Sequence, residues 1–190
     1  MATDRRKLII EAAAKSFSLF GFKATTMDQV AKLANVGKGT IYTFFKNKEE
    51  LFAEIVSSLV NEMKNEAEAV IQPGLPFTEN VHRALFRLLE FRSHHQLMIK
   101  LIQEEKEMGT IAVSEMLQHI ENEILTYIKQ KIEGASSKGI IPKTDLELTS
   151  FLLFKMYIAL VSDWEKSHEP LSSEQIAEII KVFLLKGIKN

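Results

Sequence analysis

The sequence predicts an all-α protein in which a basic three-helix head runs through a long fourth helix into a larger helical body. Three observations carry that reading. Apolar residues recur with the 3.6-residue period of helices almost throughout, and the alternation of a half-buried strand is nearly absent. Helix-start signals, a Thr, Asn or Ser followed three residues later by Gln or Glu, precede four of those runs: Thr26 and Gln29, Asn47 and Glu50, Thr144 and Glu147, Ser172 and Gln175. The 190 residues, 46% hydrophobic and 26% charged, have the balance of an ordinary globular chain.

In the head, Ile9, Ala13, Phe17 and Phe20 line one face of a first helix that stops at Gly21. A short second helix is expected from Met27 to Ala34, burying Val30 and Leu33, and Asn35-Val36-Gly37 makes a turn. Gly37 then serves as N-cap of a short third helix with Ile41 and Phe45 facing inward. The fourth, capped by Asn47, carries Phe52, Ile55, Val56, Leu59 and Met63 on one stripe towards Pro73-Gly74. About 22 helical residues reach roughly 33 Å, enough for a rigid rod.

Beyond it, Val81, Leu85, Leu88 and Leu89 mark one helix, and Leu97 to Glu105 a shorter one after a break near Ser93-His94-His95. Leu117, Ile120, Ile124 and Ile128 mark another, ended by the loop from Gly134 to Gly139 and by Pro142. Thr144 caps a helix to about Lys166, and Ser172 caps the last, to about Ile188. Both are apolar nearly all round, through Phe151 to Val161 and Ile176 to Leu185, so each needs partners on two sides. A copy of the chain can supply one, and a homodimer is expected.

Charge is uneven. Residues 1–48 hold nine Lys or Arg against three acids, a net of +6, which leaves −7 on residues 49–190. That is the distribution of a polyanion-binding head on a non-binding body, and it sets the expected division into domains 1–48 and 49–190. Without Cys there can be no disulfide, thiolate nucleophile or Cys-ligated metal. No stretch nears the roughly 18 uninterrupted apolar residues of a membrane span. The N-terminus is amphipathic and unlike a secretion signal, so the expected location is the cytoplasm, with no membrane partner.

Two short helices joined by a Gly-containing turn in a basic segment match the helix-turn-helix unit, whose second helix enters the major groove. With Val30, Leu33, Val36, Ile41 and Phe45 packed between the helices, Lys38, Thr40, Tyr42 and Thr43 face outward. An ammonium and a phenol suit phosphate oxygens, short hydroxyls suit base edges or the thymine methyl, and Gly39 permits close approach. Lys46 and Lys48, at the positive end of the fourth helix, form a second phosphate locus. A helical ligand-binding or adaptor protein whose head contacts protein is the competing reading.

The run Thr25-Thr26-Met27-Asp28-Gln29-Val30-Ala31, continued by Asn35-Val36-Gly37-Lys38-Gly39-Thr40-Ile41-Tyr42-Thr43-Phe44-Phe45-Lys46-Asn47-Lys48-Glu49-Glu50-Leu51 and preceded by Phe20-Gly21-Phe22, resembles the N-terminal signature of the TetR family of bacterial transcriptional regulators. The resemblance covers about a quarter of the chain. It implies an all-helical dimer whose head reads a palindromic operator in double-stranded DNA and whose C-terminal domain holds a small effector. By the same resemblance Thr26, Lys38, Thr40, Tyr42, Thr43 and Lys48 fall where family members contact DNA. Phe44 stands where the family often has His, so an apolar contact to sugar or a thymine methyl replaces a polar one. Gly37 replaces the usual Ser at the third helix's cap, at a cost of only a few tenths of a kcal/mol.

The expected function is a repressor released from its operator by an apolar or amphipathic molecule. Met98, Met108, Met116, Phe151, Phe154, Tyr157 and Trp164 are the candidates to line its pocket, since thioethers fill irregular space and Tyr or Trp can offer a polar end. No cofactor is expected. The His residues never recur at three or four positions, and Glu115, His119 and Glu123 read as a solvated ion-pair face and not as metal ligands. Glu104 to Glu107 read as a solvated helix end. No Ser, His and Asp arrangement supports an enzyme.

Overall fold

The computed structural model describes residues 2–140, 143, 145–180 and 182, and among them every regular element is helical. In chain order these are α1 (Ala2–Phe20), α2 (Met27–Leu33), α3 (Lys38–Phe44), α4 (Lys48–Ala69), α5 (Phe77–His94), α6 (Gln96–Met108), α7 (Ile111–Ser137), α8 (Leu146–Ile158) and α9 (Ser173–Ile180). They pack as two compact units. The first holds Met1–Asn61 with Ser93–Ile120, and the second Glu62–Arg92 with Glu121–Asn190. Compactness therefore follows a different line from the 48/49 division that charge suggests, because α6 and the start of α7 pack with the head.

The first unit's core is built from α1 outward. Ile9, Ala13 and Phe17 are fully buried at the expected helical spacing. Phe20 does not continue the stripe and is 60% exposed. The helical period keeps Phe20 on this face, but it is the last residue of α1, and Phe22, just past the turn at Gly21, is the aromatic that is buried. Phe17, Phe22 and Phe52 form an aromatic trio with centroids 5.9, 5.2 and 4.7 Å apart. The unit's buried side chains also include Val30, Ile41 and Phe45 from the head, Leu51 and Val56 from α4, and Leu97, Leu101 and Val113 from α6 and α7. Burying each large side chain contributes about 1.5–3 kcal/mol.

In α2, Val30 is buried as expected but Leu33 is 56% exposed, and Ala31 and Ala34 take the inward positions. The helix is only two turns long, so its buried side is set by Met27, Val30, Ala31 and Ala34.

The second unit packs α8 against α9 through Leu153 and Ile176, with Val81, Ile128, Met156, Tyr157, Leu160 and Leu171 around them. Ion pairs join its helices nearer the surface: Arg87 to Glu66 at 2.6 Å, Lys64 to Glu123 at 2.8 Å and Lys155 to Glu121 at 2.5 Å. Glu68 of α4 accepts from the Tyr127 hydroxyl at 2.6 Å and pairs with Lys131. Burial raises the Tyr127 pKa, and the hydrogen bond to the Glu68 carboxylate and its negative charge raise it further.

Several helix boundaries differ from the sequence reading. α7 continues through Gly134 to Ser137, and in the turn after it Gly139, with a φ of +68°, lets the Ile140 N–H reach back to the Ala135 carbonyl at 2.9 Å. α6 extends past Glu105 to Met108. The cap of α8 is Asp145, which accepts from Leu148 N at 2.9 Å, while Pro142 and Thr144 lie outside the described residues. From Ile158 the winding loosens into a π turn at Ala159–Asp163 and tightens to a 3-10 turn at Trp164–Lys166, so the helical run does reach Lys166. Ser172 and Gln175 cap α9 reciprocally, at 2.8 and 3.3 Å. The expected stretch from Phe183 to Ile188 lies outside the described residues.

Candidate nucleic-acid interface

α2 and α3 are positioned by local chemistry written into the sequence. Thr26 Oγ1 accepts from Gln29 N at 3.3 Å, while Gln29 Oε1 accepts from Thr26 N at 2.9 Å, which satisfies two donors that a helix start leaves free. At the other end Asn35 adopts φ +53°, a left-handed conformation that Asn tolerates, and Val36 N donates to the Ala31 carbonyl at 2.9 Å. Gly37, extended at φ −65° and ψ 148°, opens α3 without a side-chain cap. Ile41 and Phe45 anchor α3 inward, and both are buried.

The opposite side of α3 is open. Lys38, Gly39, Tyr42 and Thr43 are exposed, and Thr26, at the start of α2, is exposed as well. Thr40 and Phe44 are half-buried on the flanks. The Lys38 ammonium meets Asp28 at 2.8 Å, and the carboxylate's hydrogen bond and charge raise the Lys38 pKa. The other two N–H groups of this exposed ammonium stay open to a phosphate, with the Asp28 charge beside them. Thr43 Oγ1 donates to the Thr40 carbonyl at 2.7 Å and keeps lone pairs for an incoming donor.

At the start of α4, Asn47 Oδ1 accepts from Glu50 N at 2.8 Å, and Glu50 Oε2 accepts from Lys46 N at 2.7 Å. The exposed Lys46 side chain stays available to a phosphate. Lys48 is placed otherwise than its charge suggests. Its ammonium donates to the carbonyls of Phe22 at 2.8 Å and Thr25 at 2.9 Å and lies 4.2 Å from the Phe22 ring centroid. Burial pushes its pKa down, against the pull of Glu49 and Glu104.

Glu104 corrects the reading of residues 104–107 as a solvated helix end, because its side chain is only 1% exposed. Its carboxylate accepts from Phe22 N at 2.6 Å and Lys23 N at 3.0 Å. The signal was present in the sequence: Leu97, Leu101 and Glu104 stand at helical spacing on one stripe, and all three are buried.

The seven residues expected to line an effector pocket are divided between the units. Met98, Met108 and Met116 belong to the first, and Phe151, Phe154, Tyr157 and Trp164 to the second. Met108, Phe151 and Trp164 are exposed, whereas Phe154 is buried and Tyr157 packs on the Leu153 and Ile176 core. Trp164 stacks on His168 at 3.9 Å and donates its indole N–H to the Glu169 carbonyl. On α8, Leu148, Phe151 and Leu152 make an exposed apolar face beside the buried Leu153 and Phe154.

Comparison with known proteins bears on this head and on the whole chain. Residues 9–55 match the family of bacterial regulatory proteins described as the tetR family. An HTH-type transcriptional regulator of Bacillus subtilis, YhgD, is 60% identical over 188 residues, 99% of this chain and 98% of that protein. A TetR-family regulator from Syntrophomonas wolfei superposes with a TM-score of 0.78 at 16% identity, covering 100% of this chain and 97% of its own. FadR from Bacillus subtilis, solved in complex with stearoyl-CoA, superposes with a TM-score of 0.74 at 19% identity, covering 96% and 99%. The two solved structures share the fold.

Proposed function

Because the chain belongs to the TetR family of bacterial transcriptional regulators, and is a DNA-binding regulator by that membership, we propose that it is a homodimeric repressor released from a palindromic operator by a small apolar or amphipathic effector. Residues 1–48 read the DNA in this proposal, and residues 49–190 carry the effector and the dimer contact. The observation that carries the reading is the open face of α3: Lys38, Gly39, Tyr42 and Thr43 exposed, on a helix fixed from behind by the buried Ile41 and Phe45. Thr26, Thr40, Phe44 and Lys46 extend the contact. The adaptor reading loses its ground with the family, which is one of transcriptional regulators and not of enzymes.

The exposed Leu148, Phe151 and Leu152 on α8 support an isologous dimer, since such a face is what a second copy would cover. Phe151 thereby moves from the pocket to the interface. Phe154 and Tyr157, inside the second unit's packing, are the pocket candidates the proposal retains. The solved FadR structure, which shares this fold and is in complex with stearoyl-CoA, supports an amphipathic effector class. Such a molecule shifts operator affinity only by its differential affinity for DNA-competent and incompetent arrangements. A cytoplasmic location belongs to the same proposal through the family's role on DNA, and among the described residues no helix is long and apolar enough to cross a membrane.

Selection of random duplex DNA on the purified protein at moderate salt, followed by sequencing, tests the proposal. A two-fold symmetric site with half-sites about one helical turn apart, roughly 34–36 Å or a multiple, is the expected product. A folded protein that enriches nothing, or a single half-site with no symmetric partner, overturns the dimeric reading.

A further inference from the structure

In the turn between α1 and α2, residues 21–25, four polar backbone groups are taken by two side chains from distant parts of the chain. From α6, Glu104 accepts the N–H groups of Phe22 and Lys23 at 2.6 and 3.0 Å. From the start of α4, Lys48 donates to the carbonyls of Phe22 and Thr25 at 2.8 and 2.9 Å. The buried Thr25 hydroxyl donates to the Gly21 carbonyl at 2.9 Å and lies 2.9 Å from the hydroxyl of the buried Ser16. A carboxylate buried this deeply is stable only while its acceptors are filled, so it holds the two N–H groups as firmly as they hold it.

Gly21 fits this arrangement on two counts. Its φ of +87° is a conformation that side chains rarely adopt, and a Cβ there would stand 2.3 Å from Glu104 Oε2. The backbone thus comes as close to the carboxylate as the absence of a side chain allows. The residue after the turn is Thr26, the N-cap of α2, so the path of residues 21–25 sets where α2 begins and with it the placement of α3.

We propose that Glu104 is a positioning residue for DNA recognition: its carboxylate on α6 latches the α1–α2 turn and holds α2 and α3 in the orientation that sequence-specific binding requires. The latch rests on the reading of α3 as the DNA-contacting helix. It touches no DNA itself and acts through Phe22 and Lys23. It is also directional, since two hydrogen bonds on one carboxylate fix angle as well as distance, which the apolar contacts of Leu97 and Leu101 on the same stripe do not.

The test compares Glu104→Ala and Glu104→Gln with the wild type on two probes at one salt concentration: the palindromic duplex recovered by wild-type selection and a mixed-sequence duplex of equal length. Both variants are measured where circular dichroism shows them folded, and exchange of the Phe22 and Lys23 amides is followed by NMR. The expected result is a loss of at least about tenfold on the palindrome, an unchanged affinity for the mixed duplex, and faster exchange at the two amides. Gln keeps one acceptor and so falls between Ala and wild type. If Glu104→Ala does not fold, the Gln variant decides alone by the same readouts. A merely structural Glu104 lowers the melting temperature and leaves the ratio between the two duplexes intact, and that result overturns the proposal. So do wild-type affinity and unchanged exchange in a folded variant. A wild type that selects no duplex instead defeats the DNA reading on which the latch rests, so the two failures are distinguishable.

Discussion

In the first compact unit, the carboxylate of Glu104 and the ammonium of Lys48 turn inward onto backbone amides and carbonyls, whereas in the second Glu66, Glu68, Glu121 and Glu123 meet Arg87, Lys131, Lys155 and Lys64 at partly exposed positions. Inward contacts of this kind specify angles and are costly to break by halves. Exposed pairs contribute at most about 1 kcal/mol each and tolerate rearrangement. The difference matches the proposed function, in which one unit presents a short helix to DNA at a fixed angle and the other holds together around an apolar core whose charged perimeter can vary.

The largest effect expected belongs to the shared apolar foundation of the first unit. Phe17 is fully buried and touches the rings of Phe22 and Phe52, so Phe17→Ala should cost about 3–5 kcal/mol in urea unfolding. A loss under about 1 kcal/mol would mean that polar contacts alone hold this unit, which would break the comparison from its apolar side.

Next comes the apolar face that the second unit leaves open. Phe151→Glu should convert the proposed dimer to monomer in sedimentation while changing unfolding of the monomer by about 0.5 kcal/mol or less, as at an ordinary surface position. A dimer that survives the charge moves the interface elsewhere.

The apolar skeleton was legible in the sequence wherever a helix had one long stripe, as with Ile9, Ala13 and Phe17 or with Phe52, Ile55 and Val56. The caps at Thr26, Asn47 and Ser172 were legible for the same local reason, a side chain and an N–H three residues apart. Leu33 was misread because on a two-turn helix one step of register decides which side is buried, and Phe20 because the period says which face a residue shares but not where along the helix that face stops being covered. Glu104 was hidden by its type. A Glu among Glu105, Lys106 and Glu107 looks solvated until the partner amides, some 80 residues away in sequence, are seen to meet it. The open face of α3 was readable, but the Lys38 pairing with Asp28 and the inward turn of Lys48 depend on folded distances.

Lys48 sharpens the contrast between a cation that holds backbone and one that holds phosphate. Lys48→Ala leaves the Phe22 and Thr25 carbonyls without this donor, so a stability loss of about 1–2 kcal/mol is expected. Operator affinity should fall, yet the slope of log affinity against log salt should stay at its wild-type value. A phosphate contact would instead reduce the slope by about 0.9. That reduction, with stability unchanged, would return Lys48 to the DNA surface where its charge first suggested it.

The smallest effect tests the exposed side of the comparison through pH. Burial works to raise the Glu68 pKa, but the hydrogen bonds from Lys131 and Tyr127 outweigh it and hold the carboxyl below its ordinary value of 4.5. Since the folded form binds the proton less readily than the unfolded one, the contribution is complete above about pH 4.5 and disappears as pH falls through the lowered folded value. Its size should be well under 1 kcal/mol, because the Glu68 side chain is 43% exposed and solvent screens the pair. Urea unfolding of wild type and Glu68→Gln between pH 3 and pH 6 should therefore diverge slightly above pH 4.5 and converge at the acid end. A divergence as large as that of Lys48→Ala would place a structural ion in the second unit after all, and the division between inward and outward charge would have to be redrawn.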